Sequence, residues 1–135
     1  MAAITPVAAS LGPFSLRCYG DSLTAGYKST QPFHPYALAL GAALKGAAGV
    51  DEFDVRQKGL PGWTAKELLE EKDSSNGLEF LLKETPAEIA IILAGTNDLG
   101  GSNDENKIVE NIWGLHQIAH TMKAKTIAIS VRAFL

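Results

Sequence analysis

Three short stretches hold most of the side chains that could do chemistry. Tyr19-Gly20-Asp21-Ser22-Leu23-Thr24-Ala25-Gly26-Tyr27 puts a serine hydroxyl at what reads as a strand-to-helix turn. Backbone N–H groups are unpaired at such a turn and the helix end is partially positive, so the position suits a nucleophile whose product is an oxyanion. Gly-Asp-Ser is equally ordinary turn chemistry. Gly59-Leu60-Pro61-Gly62-Trp63-Thr64 leaves the Gly62 N–H open to close approach by a ligand, or is simply a turn ahead of a helix. Gly95-Thr96-Asn97-Asp98-Leu99 offers the Asn97 amide as a hydrogen-bond donor, or caps the helix that follows. Trp63 and Tyr27 flank these stretches, and either line a pocket or serve packing.

The elements around these stretches follow from pattern and punctuation. Leu16 to Tyr19 is a short strand closed by Gly20; Tyr36 to Ala48, rich in Ala and Leu, is a helix; Glu52 to Gln57 alternates as a half-buried strand does. Thr64-Ala65-Lys66-Glu67 carries a capping box that starts a short helix to about Lys72, and Leu78 to Lys83 is a second helical piece before Pro86. Glu88 to Ala94 contains Ile89-Ala90-Ile91-Ile92-Leu93, the unbroken apolar run of a strand covered on both faces. From Asp104 or Glu105 to Lys123 a long helix sets Ile108, Ile112, Leu115, Ile118 and Met122 on one stripe, and Thr126 to Val131 is a fourth strand. Strands alternating with helices predict an α/β domain, a parallel sheet with helices on both faces. Ligands of such sheets bind beyond the carboxyl ends of the strands. The three stretches follow the first, second and third strands, so all belong at that end.

In this order the three motifs resemble the SGNH, or GDSL, hydrolase family. The resemblance implies a three-layer flavodoxin-like sheet and hydrolysis of a small-molecule carboxylic ester through an acyl-enzyme, with no metal or organic cofactor. By it Ser22 is the nucleophile, and the Ser22 N–H, the Gly62 N–H and the Asn97 amide form the oxyanion hole. Asp21 and Asp98 are then loop organisers rather than proton carriers. The family's last block, an Asp-x-x-His that supplies the base, is absent: Gln31, Trp113 and Gln117 stand three positions before His34, His116 and His120. His116 and His120 lie roughly eleven and fifteen residues into the long helix, ~17 to 22 Å from the site end at ~1.5 Å per residue. Their spacing mimics a metal pair, but no further ligand accompanies them. His34 is the one histidine on the correct side of the sheet. Members of the family usually run on through another helix and strand, so the expectation is a lead-in over residues 1–14 and, over 15–135, an incomplete hydrolase domain. Such a chain has weak or no activity, and its fourth strand, with Phe134 and Leu135, is an apolar edge open to self-association.

Composition excludes several other functions. Twelve Lys and Arg against fifteen Asp and Glu, without a basic cluster, give no electrostatic support for binding nucleic acid. No apolar run reaches the ~18 residues of a membrane span. Met1 to Phe14 lacks the positive start of a secretory signal, which together with a lone cysteine, Cys18, predicts a reducing, cytoplasmic setting. Cys18 itself is expected as a buried thiol. Two alternatives stand beside the esterase reading. One is a non-catalytic fragment that holds an ester or carbohydrate, or pairs with a partner. The other is a nucleotide or flavin domain, opposed by the lack of a Gly-x-Gly-x-x-Gly or Gly-Lys-Ser/Thr loop.

Overall fold

The structure, a computed structural model, describes residues 13–27, 32–45, 52–101 and 104–130. Most of the expected lead-in, the helix beyond residue 45 and the chain from Val131 onward, with Phe134 and Leu135, lie outside these residues. The elements run β1 (Phe14–Gly20), α1 (Ser22–Ala25), α2 (Tyr36–Leu44), β2 (Phe53–Gly59), α3 (Ala65–Glu70), α4 (Leu78–Glu84), β3 (Ile89–Leu93), α5 (Glu105–Thr121) and β4 (Lys125–Ala128). A single 3₁₀ turn, Asp98–Gly100, separates β3 from α5. Phe14, assigned to the lead-in by its sequence, is the first residue of β1 and pairs with Phe53 of β2.

The four strands are parallel in the order β2-β1-β3-β4. The chain steps from β1 to β2 in one direction and from β2 past β1 to β3 in the other. Right-handed crossovers therefore put α2 on one face and the later helices on the opposite face. Side-chain alternation completes the two cores. Tyr19, Ala90 and Ile92 pack with Leu68, Leu78, Leu82, Leu115 and Ala119. Leu16, Cys18 and Ile91 pack with Ala37, Leu40 and Leu44 of α2. The winding reverses between β1 and β3, which is where open α/β sheets bind ligands.

Two buried polar groups depart from the sequence pattern. Arg17 interrupts the apolar strand yet is only 2% exposed. Its Nε donates to the Thr85 carbonyl at 3.2 Å, and its Nη atoms reach the Asp54 carbonyl and carboxylate, both at 3.0 Å. A buried guanidinium is tolerable when its donors are met in this way, and here it ties β1 to β2 and to the end of α4. Partial burial alone would raise the Asp54 carboxyl, but Arg56 and Arg17 outweigh it and hold it low. On α5 the buried residues are Ile108, Leu115, His116 and Ala119, while Ile112, Ile118 and Met122 are half-buried. The buried stripe is rotated because α5 packs on α3 as well as on the sheet, with Gly114 against Leu69. Among the described residues no helix is long and apolar enough to cross a membrane.

Candidate active site

The carboxyl ends of three strands lie in register, Gly20 beside Gly59 on one side and beside Leu93 on the other. The approach of β1 to β3 leaves no room for a side chain, since a Cβ at Gly20 would collide with the Leu93 carbonyl oxygen. Backbone hydrogen bonds then knit the loops: Asp21 N–H donates to the Leu93 carbonyl at 3.3 Å and Leu60 N–H to the Gly20 carbonyl at 2.8 Å.

Asp21 caps α1, its Oδ1 accepting the Leu23 N–H at 2.9 Å. Ser22 is therefore the first residue of a four-residue helix and stands half-buried at the sheet's end. Its Oγ has no hydrogen-bond partner among the described residues. Asp21 itself is fully buried. Burial pushes its carboxyl up, the Leu23 N–H and the Thr96 side chain offset this in part, and the nearby Asp98 charge adds to the rise.

In the second loop Gly62 has φ +86°, a left-handed conformation that favours glycine, and its Cβ position faces nothing within 4 Å. The third loop is fastened to the second. Asn97 Nδ2 donates to the Trp63 carbonyl at 2.8 Å, and buried Asp98 accepts the Ala65 N–H at 2.7 Å through Oδ2. Because Trp63 contributes an acceptor, the Asn97 atom facing it must be nitrogen, and a carboxamide nitrogen has a second hydrogen to give. Asp98 thus holds its loop, the role expected of it.

The histidines separate sharply. His116 Nδ1 and His120 Nε2 lie 2.8 and 3.0 Å from Thr126 Oγ1. Thr126 is in register with Ala90, three residues short of the Leu93 end, so both imidazoles belong to the opposite end of the sheet. Burial, with the His120 charge, pushes the His116 imidazole down. His34 is exposed, and its N–H donates to the carbonyl of Gly26, the cap of α1, at 3.0 Å. No group of three or more His, Cys, Asp or Glu side chains that could hold a metal occurs among the described residues. Cys18 is fully buried, and burial raises its thiol.

Trp63 packs half-buried against the core, whereas Tyr27 is 52% exposed and meets Phe33 edge-on. What Trp63 contributes to the site is its main-chain carbonyl. Sequence reading has no signal for that, because any residue type supplies the same acceptor.

A family model of GDSL-like lipases and acylhydrolases matches residues 18–133. The chain belongs to this family. Its fold is shared with solved structures: the SGNH-hydrolase family esterase AlinE4 superposes with a TM-score of 0.73 at 25% identity over 90% of this chain and 61% of that one. The lipase/acylhydrolase from Enterococcus faecalis gives 0.66 at 24% identity over 90% and 59%. The psychrotrophic esterase EstA from Pseudoalteromonas sp., inhibited by monoethylphosphonate, gives 0.63 at 21% identity over 84% and 57%. The GDSL chain described here thus spans about three fifths of the length of these structures. No curated protein matches it.

Proposed function

We propose that this GDSL-family chain, over residues 15–135, carries the nucleophile and oxyanion hole of a carboxylic-ester hydrolase that needs no metal or organic cofactor. Ser22 Oγ attacks the ester carbon as its O–H bond breaks and the proton passes to a solvent water, while the carbonyl π electrons move onto oxygen. The Ser22 N–H, the Gly62 N–H and the second Asn97 N–H receive that negative charge. Collapse of the intermediate breaks the bond to the leaving oxygen, which takes a proton from solvent and departs as the alcohol; water then attacks the acyl carbon, the acid leaves, and a proton returns to Ser22 Oγ. The observation that carries this reading is the Asn97 to Trp63 hydrogen bond, which binds the second and third loops into one wall beside the Ser22 turn. A single hole donor is typically worth about 3 kcal/mol of barrier.

The base is the weak member. His116 and His120 are engaged at Thr126, and His34, on the loop into α2, is the histidine nearest α1 in the chain. A hydroxyl without a well-placed imidazole reacts slowly, so this chain by itself turns over esters feebly. The test is labelling by a fluorophosphonate, followed by mass spectrometry. An adduct on Ser22 that Ser22→Ala abolishes, and that Asn97→Ala slows by on the order of 100-fold, is the expected result. An adduct elsewhere, or labelling indifferent to Ser22→Ala, overturns the assignment.

The attachment of both α5 histidines to β4 also favours a second reading, in which the cleft holds an ester or carbohydrate without cleaving it. Ligand-induced rise in melting temperature with no acid released would select that one.

A further inference from the structure

At the opposite end of the sheet from Ser22, three side chains meet at one oxygen. His116 Nδ1 and His120 Nε2, one turn apart on α5, lie 2.8 and 3.0 Å from Thr126 Oγ1 of β4. The connection between helix and strand is tight: Lys123, at φ +65°, turns the chain, and Ala124 N–H donates to the Ala119 carbonyl at 2.9 Å. Trp113 lies against the pair, its ring 17° from the plane of His116 at 6.4 Å between centroids and edge-on to His120 at 6.0 Å. His116 is buried and His120 is exposed. The ester chemistry uses none of these groups.

A hydroxyl has one hydrogen and two lone pairs. With both imidazoles neutral, Thr126 gives its hydrogen to one ring nitrogen and accepts an N–H from the other, so each of the three polar atoms is paired. One added proton is tolerated, because the ring that stays neutral can still turn a lone pair to the hydroxyl. A second is not. Both nitrogens are then donors, the hydroxyl hydrogen loses its acceptor in the cluster, and two positive rings face one oxygen with their centroids 6.4 Å apart.

The surrounding charges do not relieve this. On the elements packed against α5, Glu70 pairs with Lys66 on α3 and Glu79 with Lys83 on α4, while Glu67 is spent on the Thr64 N–H. Glu110 pairs with Lys107 on α5 itself, and Glu88, just before β3, accepts the Ser15 N–H. Lys123 and Lys125 flank the strand's entry with further positive charge. Among the described residues, the charge that bears on the His116 imidazole is that of His120.

We propose that His116, His120 and Thr126 form a pH-sensitive clasp, which fastens β4 to α5 while at least one ring is neutral and releases the strand when both are protonated. This inference is independent of the ester reading. A four-residue strand has a short ladder to β3, so loss of its side-chain tie to α5 is felt along its whole length. The direction follows from His116, whose imidazole is pushed down by burial and by the His120 charge. Such a group contributes stability that is full above its unfolded value, ~6.5, and is lost as pH falls through the lower folded value. The clasp opens on acidification.

Amide hydrogen exchange of the full chain, corrected for the intrinsic effect of pH, and ¹⁵N NMR of the imidazoles test this between about pH 7.5 and about pH 5. Expected at the acid end is exchange in β4 at least tenfold faster, with Cys18 and Tyr19 of β1 unchanged. Expected at the neutral end is an unprotonated nitrogen in one of the two positions facing Thr126. Thr126→Val, which keeps the shape and deletes the hydroxyl, should flatten the pH response, and Thr126→Ser should preserve it. His120→Gln, at an exposed position that does not threaten folding, should flatten it by removing the second charge. Exchange in β4 that ignores pH, or β4 and β1 loosening together as in general acid unfolding, would overturn the clasp. So would a pH response that survives His120→Gln, or one that survives Thr126→Val, or two ring nitrogens both protonated toward Thr126 at the neutral end.

Discussion

Asp21 stands one residue before the nucleophile, fully buried, with one carboxylate oxygen spent on capping α1. Burial raises its carboxyl above the ordinary carboxylate range. A carboxyl raised in the folded state contributes stability that is full below its unfolded value, ~3.9, and is lost as pH rises through the folded value. Its charge is therefore a cost at neutral pH. Asparagine keeps the oxygen that caps Leu23 and removes the charge, so Asp21→Asn is expected to match the natural protein near pH 3.5 and to exceed it in stability at pH 7. Denaturant midpoints at the two values check this; a less stable Asp21→Asn protein at pH 7 would mean that the carboxylate's hydrogen bonds outweigh its burial. The residue types of this site were legible in the chain, Gly-Asp-Ser and Asn-Asp most of all. Partnerships between distant residues were not. That Asn97 would meet a main-chain oxygen, or that Arg17 would lie buried across Asp54 and Thr85, depends on residues 34 to 68 positions away.

At the level of elements, α3 is the hinge of the site. The expected capping box is present: Glu67 N–H donates to Thr64 Oγ1 at 3.1 Å and Thr64 N–H to Glu67 Oε2 at 2.9 Å. The same turn supplies the Trp63 carbonyl to Asn97 and the Ala65 N–H to Asp98. Thr64→Ala should cost about 1 kcal/mol of stability in a denaturant titration. It should also loosen the third loop, seen as faster hydrogen exchange at Ala65 and Asn97. Loss of stability without faster exchange would show that Asp98 holds the loop unaided. Helix and strand positions were readable here because caps and apolar runs are local signals. The start of α1 at the Ser22 turn was read, but not its length of four residues, since one turn carries no periodicity. The rotation of α5 that buries His116 in place of part of the Ile stripe was hidden for another reason, its cause being the packing of Gly114 on Leu69 of α3.

At the scale of the sheet, β4 is the outermost strand among the described residues, four residues long with Ile127 48% exposed. On the face bearing Ile91, in register with Ile127, the described helix is α2, which packs on β2 at the other edge. Edge strands with apolar side chains invite pairing. Association that grows with concentration, measured by light scattering or sedimentation, is the expected behaviour, and Ile127→Lys should suppress it. Association indifferent to that change would place the contact elsewhere. The order of strands and the gathering of three loops at one end could be expected from the chain alone, because alternating elements and right-handed crossovers admit few arrangements. Sequence by itself determined the residue types and the end of the sheet at which they would meet. Tertiary structure alone decided which of them touch, which histidines are carried away from Ser22, and that an apolar cavity opens beside the Asn97 loop. Contacts and cavities of that kind are made by segments far apart along the chain, and no local pattern records them.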